Sequence, residues 1–122
     1  MTISILGLDH VVLRTDEPEA LVEFYKRLFA CEVERTVGDF LWQLRIGDSL
    51  LDVIKGERTG ANVDHFCLRV ADYVEDDILS FLEAQGVEAS SAGEIYGAQG
   101  FGPSIYFVDP EGNRVELKRA NA

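Results

Sequence analysis

The chain has 122 residues, 47% of them apolar, which is enough for a real buried core and too many for a disordered segment. Acidic residues outnumber basic ones 22 to 11, a net charge of −11. That balance excludes the basic stripe a nucleic-acid binder needs and argues against docking on an anionic membrane surface.

No apolar run approaches the roughly 20 residues of a spanning helix. The N-terminus has neither a basic start nor a cleavable apolar stretch. The expected location is the cytoplasm, with Cys31 and Cys67 as free thiols.

Ile5–Arg14 reads as a first strand, rich in leucine and β-branched residues, with His10 on the face of Leu8 and Val12. Thr15 and Asp16 then offer a helix cap, and Pro18 falls in the first turn, where its missing N–H costs little. A helix to about Ala30 would bury a stripe of Leu21, Phe24, Tyr25, Leu28 and Phe29. Its early glutamates and its late Lys26 and Arg27 suit the helix dipole. Cys31–Val37 is a short strand, followed by a Gly38-Asp39 turn. Phe40–Ile46 and Ser49–Ile54 form a hairpin around Gly47-Asp48, and Asp52 shares a face with Leu50 and Ile54. Lys55–Asn62 is a short polar linker.

The second half repeats this order. Val63–Val70 is a strand. Asp72 is placed to cap a helix over about Val74–Gln85, with Glu75 completing a capping box. Its stripe is Ile78, Phe81 and Leu82, and Gly86 is the expected C-terminal cap. Val87–Ser104, with four glycines, reads as a short strand and a mobile loop. Ser104–Val108 and Asn113–Arg119 form a last hairpin around Asp109-Pro110-Glu111-Gly112. Each half is therefore β-α-β-β-β. The expected fold is α+β, one domain over residues 1–122, with modules at about 5–55 and 63–119.

The repeat is visible in the residues. Laid over Val63–Val70, the stretch Leu8–Thr15 matches it at Asp9 and Asp64, His10 and His65, Leu13 and Leu68, and Arg14 and Arg69. His10 and His65 are the only histidines of the chain. Aligning the last strands of the halves sets Asp52 on Glu116, and Leu41-Trp42 on Ile105-Tyr106. Each half thus supplies one imidazole and one carboxylate, donors that suit a divalent ion such as Mn, Fe, Co, Ni or Zn. A competing account puts Glu116 in a surface charge ladder with Arg114 and Lys118 on its own face. Asp52, beside Leu50 and Ile54, needs a compensating partner if it is buried.

The chain resembles the vicinal oxygen chelate family, which includes glyoxalase I, extradiol dioxygenases, and fosfomycin- and bleomycin-resistance proteins. The resemblance covers about residues 5–119. It is carried by Leu8-Asp9-His10, Phe24-Tyr25-Lys26-Arg27-Leu28, Val63-Asp64-His65 and above all Ile105–Glu116. It implies a cupped mixed sheet with the helices on its outer face. It also implies a divalent metal on His10, His65 and Glu116, with Asp52 at the position of a fourth ligand. The implied activity is a glyoxalase-like lyase or isomerase acting on a small substrate that chelates the metal through adjacent oxygens. Glu116 or Asp52 would move the proton, and Tyr106 would lie in the active site. Trp42, Tyr96, Phe101 and Tyr106 are candidate pocket aromatics; ordinary core packing is the alternative for each, and for Trp42 it is the favoured one. Arg14, Arg45 and Arg69 are candidates for a substrate's carboxylates. The alternatives are an iron extradiol-type dioxygenase and a non-enzymatic binder of the bleomycin-resistance kind. Two departures from the family pattern matter. Asp52 is one methylene shorter than the usual glutamate, and Gly97-Ala98-Gln99 stands near where the dioxygenases carry a histidine. The family usually pairs, so a homodimer is expected.

Overall fold

The computed structural model describes residues 1–57, 60, 62–108 and 112–121, with the side chain of Leu28 excepted. Arg58, Thr59 and Ala61 of the expected linker, and Asp109, Pro110 and Glu111 of the last expected turn, lie outside the described residues. So does the part of Leu28 in the first helix's stripe.

The elements run in the expected order. They are β1 (Ile5–Thr15), α1 (Pro18–Phe29), β2 (Val33–Val37), β3 (Leu41–Ile46) and β4 (Ser49–Lys55), then β5 (Val63–Val70), α2 (Glu75–Ala84), β6 (Ala89–Gly97), β7 (Gly100–Val108) and β8 (Arg114–Arg119). The fold is α+β and is built from two β-α-β-β-β modules. No helix among the described residues is long and apolar enough to cross a membrane. The chain divides into two compact units, His10–Asp64 and Met1–Asp9 with His65–Ala122.

In the unit His10–Asp64 the strands lie in the order β2-β3-β4-β1. β3 is antiparallel to both of its neighbours, and β1 runs parallel to β4. The two-residue loop Gly47-Asp48 sets Ile46 opposite Ser49, and Gly47 takes the positive φ of 62° that such a tight loop favours. α1 starts at Pro18, and Thr15 Oγ1 accepts a hydrogen bond from the Glu17 N–H at 3.0 Å just before it. The helix packs on β3 and β4. Its buried stripe is Leu21, Val22 and Tyr25, which meet Leu44, Leu51, Val53 and Trp42. Phe24 and Phe29 are exposed, contrary to the stripe read from the sequence. They have the right helical spacing, but the sheet lies under the neighbouring positions, so Val22 is buried instead. Burying each aliphatic side chain of this core is worth about 1.5–3 kcal/mol.

In the other unit the order is β5-β8-β7-β6, with β5 and β8 parallel and the rest antiparallel. Its core gathers Val70, Ile78, Leu82, Ile105, Val115 and Leu117. α2 ends as expected. Gly86 has φ 77°, its N–H donates to Glu83 O, and the Val87 N–H donates to Leu82 O, a complete Schellman closure. The start of α2 differs from expectation. Asp72 sits in the left-handed region (φ 52°), and the cap position falls on Val74 with no side-chain hydrogen bond. The larger correction concerns residues 87–104. They form the long, regular β6–β7 hairpin, closed by the two-residue turn Ala98-Gln99. Gly93 (φ 76°) sits at a register shift within the ladder rather than in a loop.

Candidate metal centre

β8 alternates, and this alternation places the site. Val115 and Leu117 enter the core of their unit, while Glu116 and Lys118 share the opposite face. The register sets Tyr106 opposite Glu116 and Ser104 opposite Lys118. Glu116 is fully buried, at 0% exposure, and its two oxygens are held separately. Ser104 Oγ donates to Oε2 at 2.8 Å, and the Tyr106 hydroxyl donates to Oε1 at 3.2 Å. His65 Nε2 lies 3.2 Å from the same Oε1. The His65 ring stands edge-on to Tyr106, with 5.6 Å between centroids at 88°, and the Arg114 guanidinium covers the Tyr106 ring at 4.0 Å. Burial, and after it the Glu116 carboxylate, push the Tyr106 phenol well above its ordinary value, so it remains a proton donor at neutral pH. The surface charge ladder weighed for Glu116 is therefore not what forms, because both Glu116 and Lys118 are buried.

The other unit holds the remaining predicted residues. His10 is 3% exposed and in register with Leu50, and Val12 is in register with Asp52. Paired residues on neighbouring strands share a face, so His10 and Asp52 lie on the face opposite the core residues Leu51 and Val53. Asp52 is 4% exposed, and it has the partner its burial requires. Gln43 Nε2 donates to Asp52 Oδ2 at 3.1 Å, and Arg35 Nη1 donates to Gln43 Oε1 at 3.1 Å. Gln43 was missed in the sequence, although the Gly47-Asp48 loop fixes the register that sets it opposite Asp52. Ser104 was missed because its register depends on the β7–β8 pairing.

Trp42 packs into the core of its unit, and Tyr96 and Phe101 pack edge to face on one another at 5.0 Å. Neither Cys31 nor Cys67 is in a disulfide. The arginines form ion pairs. Arg14 pairs with Asp64, Arg69 Nε lies 3.1 Å from Asp9 Oδ1, and Arg45 grips both oxygens of Glu34 at 2.9 Å. In the Asp9–Arg69 and Arg14–Asp64 pairs, the aspartate and the arginine come from different copies of the sequence repeat.

The sequence profile of the Glyoxalase/Bleomycin resistance protein/Dioxygenase superfamily matches residues 7–117, and the chain belongs to that superfamily. Its members commonly use divalent metals, and the chain has candidate ligand groups for one. No curated protein matches the sequence. Among solved structures, methylmalonyl-CoA epimerase from Mycobacterium tuberculosis is 17% identical with a TM-score of 0.73, covering 100% of this chain and 93% of that one. A single-residue variant of Streptomyces coelicolor methylmalonyl-CoA epimerase, in complex with 2-nitronate-propionyl-CoA, is 23% identical with a TM-score of 0.72, covering 98% and 97%. BphC, a halotolerant catechol dioxygenase, reaches a TM-score of 0.77 at 16% identity, covering 97% of this chain and 40% of that one. At these identities the likeness establishes the fold.

Proposed function

We propose that this protein is a metal-dependent enzyme that moves a proton on a carbon next to a carbonyl, a lyase or isomerase of the glyoxalase or epimerase kind. Its ligands would be His65 and Glu116, joined by their repeat equivalents His10 and Asp52. The observation that carries the reading is the buried Glu116 carboxylate, with an imidazole nitrogen 3.2 Å from one of its oxygens. Imidazole and carboxylate are the donors that a borderline divalent ion takes, so the residues present fit the metal. When bound, Ni, Co, Zn, Mn or Fe would supply Lewis-acid stabilisation of charge on a substrate oxygen.

The chain's own residues do the rest. Ser104 and Tyr106 hold the Glu116 carboxylate in one orientation, and Tyr106 keeps its proton while doing so. Asp52, fixed by Gln43, is the second carboxylate and the candidate proton carrier. The methylmalonyl-CoA epimerases of similar fold support this class. The substrate is a small molecule with two adjacent oxygens.

An iron dioxygenase would fit the same two histidines and one glutamate as a facial triad. Against it, the proposed ligands use both histidines, and the turn around Gly97-Ala98-Gln99 offers no third imidazole. A ligand-sequestering binder is the non-enzymatic alternative.

The test uses protein purified without added metal, analysed for metal content, then loaded and incubated in deuterium oxide with small 2-oxo and 2-hydroxy acyl compounds. Exchange of the hydrogen next to the carbonyl is the expected result. Oxygen consumption with catechols and no exchange would overturn the reading in favour of the dioxygenase. Metal that never binds would favour the binder.

We also propose a homodimer. In each unit an edge strand, β2 or β6, carries backbone groups that a second copy could cover. Light scattering at micromolar concentration should give twice the chain mass, and a monomer mass would rule the dimer out.

A further inference from the structure

The arginines that the sequence offers for a substrate's carboxylate are engaged with Asp64, Asp9 and Glu34. Lys118 is the opposite case. Its side chain is 1% exposed, and its Nζ meets no hydrogen-bond partner among the described residues. The Glu116 carboxylate shares its face and Asp9 Oδ2 lies beside its stem at Gly97, yet neither accepts a hydrogen bond from Nζ; a buried ammonium with no acceptor is costly, and the arrangement leaves that acceptor to be supplied from outside the chain.

The surroundings favour such an anion at the site already described. Lys118 stands two residues from Glu116 on the same face of β8. Opposite it is Ser104, which holds Glu116 Oε2. Its stem runs past Gly97, where an added Cβ would lie 2.3 Å from Asp9 Oδ2, 2.8 Å from Lys118 Cε and 2.9 Å from Cδ. Its head reaches Gly102, where an added Cβ would lie 2.8 Å from Nζ. Neither glycine has a positive φ, so it is space, for the Asp9 carboxylate and the lysine stem at Gly97 and for the lysine head at Gly102, that requires them.

We propose that Lys118 is the anion-binding residue of the site and that its ammonium takes a carboxylate oxygen of a small organic acid. The substrate class is thereby narrowed to acids whose carboxylate lies close to the oxygens that would bind the metal on Glu116. That narrowing of the substrate rests on the reading of Glu116 as a metal ligand; the anion-binding role of Lys118 does not.

The probe is oxalate, titrated calorimetrically into wild type and Lys118→Met, both metal-loaded and chelator-treated. Wild type should bind oxalate. Lys118→Met should lose at least about tenfold in affinity, the loss of a charge-assisted hydrogen bond, with its affinity for the metal alone unchanged. The variant keeps the stem and removes a buried ammonium that has no hydrogen-bond acceptor, so its unfolding temperature should not fall. Gly102→Ala keeps the charge but displaces Nζ, and it should lose oxalate affinity as well. The proposal is overturned by wild type that binds no oxalate in either state, or by a variant of unchanged affinity. It is equally overturned by a variant whose metal affinity falls as far as its oxalate affinity, since Lys118 would then act through Glu116. A wild type that takes up no metal but binds oxalate through Lys118 would defeat the metal reading and leave this one standing.

Discussion

Replacing His65 with alanine should abolish divalent-metal binding and leave the fold intact. His65 projects from β5 toward Glu116 and Tyr106, on the face away from Val70, Ile78, Leu82, Ile105, Val115 and Leu117. The substitution therefore opens no gap in the apolar core. Nor does it strand the Glu116 carboxylate, which keeps the Ser104 and Tyr106 hydroxyls. The stability cost should stay within about 1–2 kcal/mol, the range of an ordinary substitution outside the core. Metal affinity should fall by far more than the ~10–100-fold that follows loss of an outer hydrogen-bond partner, because on the proposed reading a direct ligand is gone. Calorimetric titration of folded His65→Ala with zinc or nickel checks this, with circular dichroism confirming the fold. Unchanged affinity in a folded variant would remove His65 from the site and take the metal reading with it.

The modular order was legible because hydrophobic periodicity and turn chemistry agree at most boundaries. Gly47-Asp48 marks a hairpin, Gly86 closes a helix, and the paired histidines reveal the repeat. Where the sequence misled, tertiary contacts overrode a local pattern. Phe24 and Phe29 have helical spacing, yet the sheet packs against Val22. Asp72 has the chemistry of a cap, but its backbone takes a left-handed turn before the helix begins. The glycines of residues 87–104 look like a loop. In the structure, Gly93 marks a register shift, while Gly97 clears space for Asp9 and Lys118 and Gly102 for Lys118. The partners of the site residues were the least legible part. Gln43, Ser104 and the orphaned Lys118 acquire meaning only once strand register sets them beside Asp52 and Glu116.

Asp52 decides which carboxylate carries the proton and whether three residues or four hold the metal. If it serves as ligand or base, Asp52→Asn should lose most turnover and weaken metal binding. Asparagine is the better substitution because the carboxylate is buried and accepts a hydrogen bond from Gln43 Nε2. Alanine would leave that amide without its acceptor, at a cost of about 1–3 kcal/mol, and would confuse stability with function. Asparagine keeps an acceptor oxygen and removes only the charge and the basicity. If three residues hold iron in a dioxygenase, Asp52 is a bystander on β4, and the variant should keep its metal and much of its rate. A loss of ~10–100-fold in metal affinity alone is within reach of an indirect effect through neighbouring hydrogen bonds. The deciding measurement is therefore the pair of values, metal occupancy and the rate of hydrogen exchange next to the carbonyl. Proton transfer through Asp52 predicts that the exchange rate collapses even at saturating metal, because the base itself is gone. Full occupancy with near-normal exchange would exclude Asp52 from the chemistry and leave Glu116 as the remaining carboxylate to carry the proton.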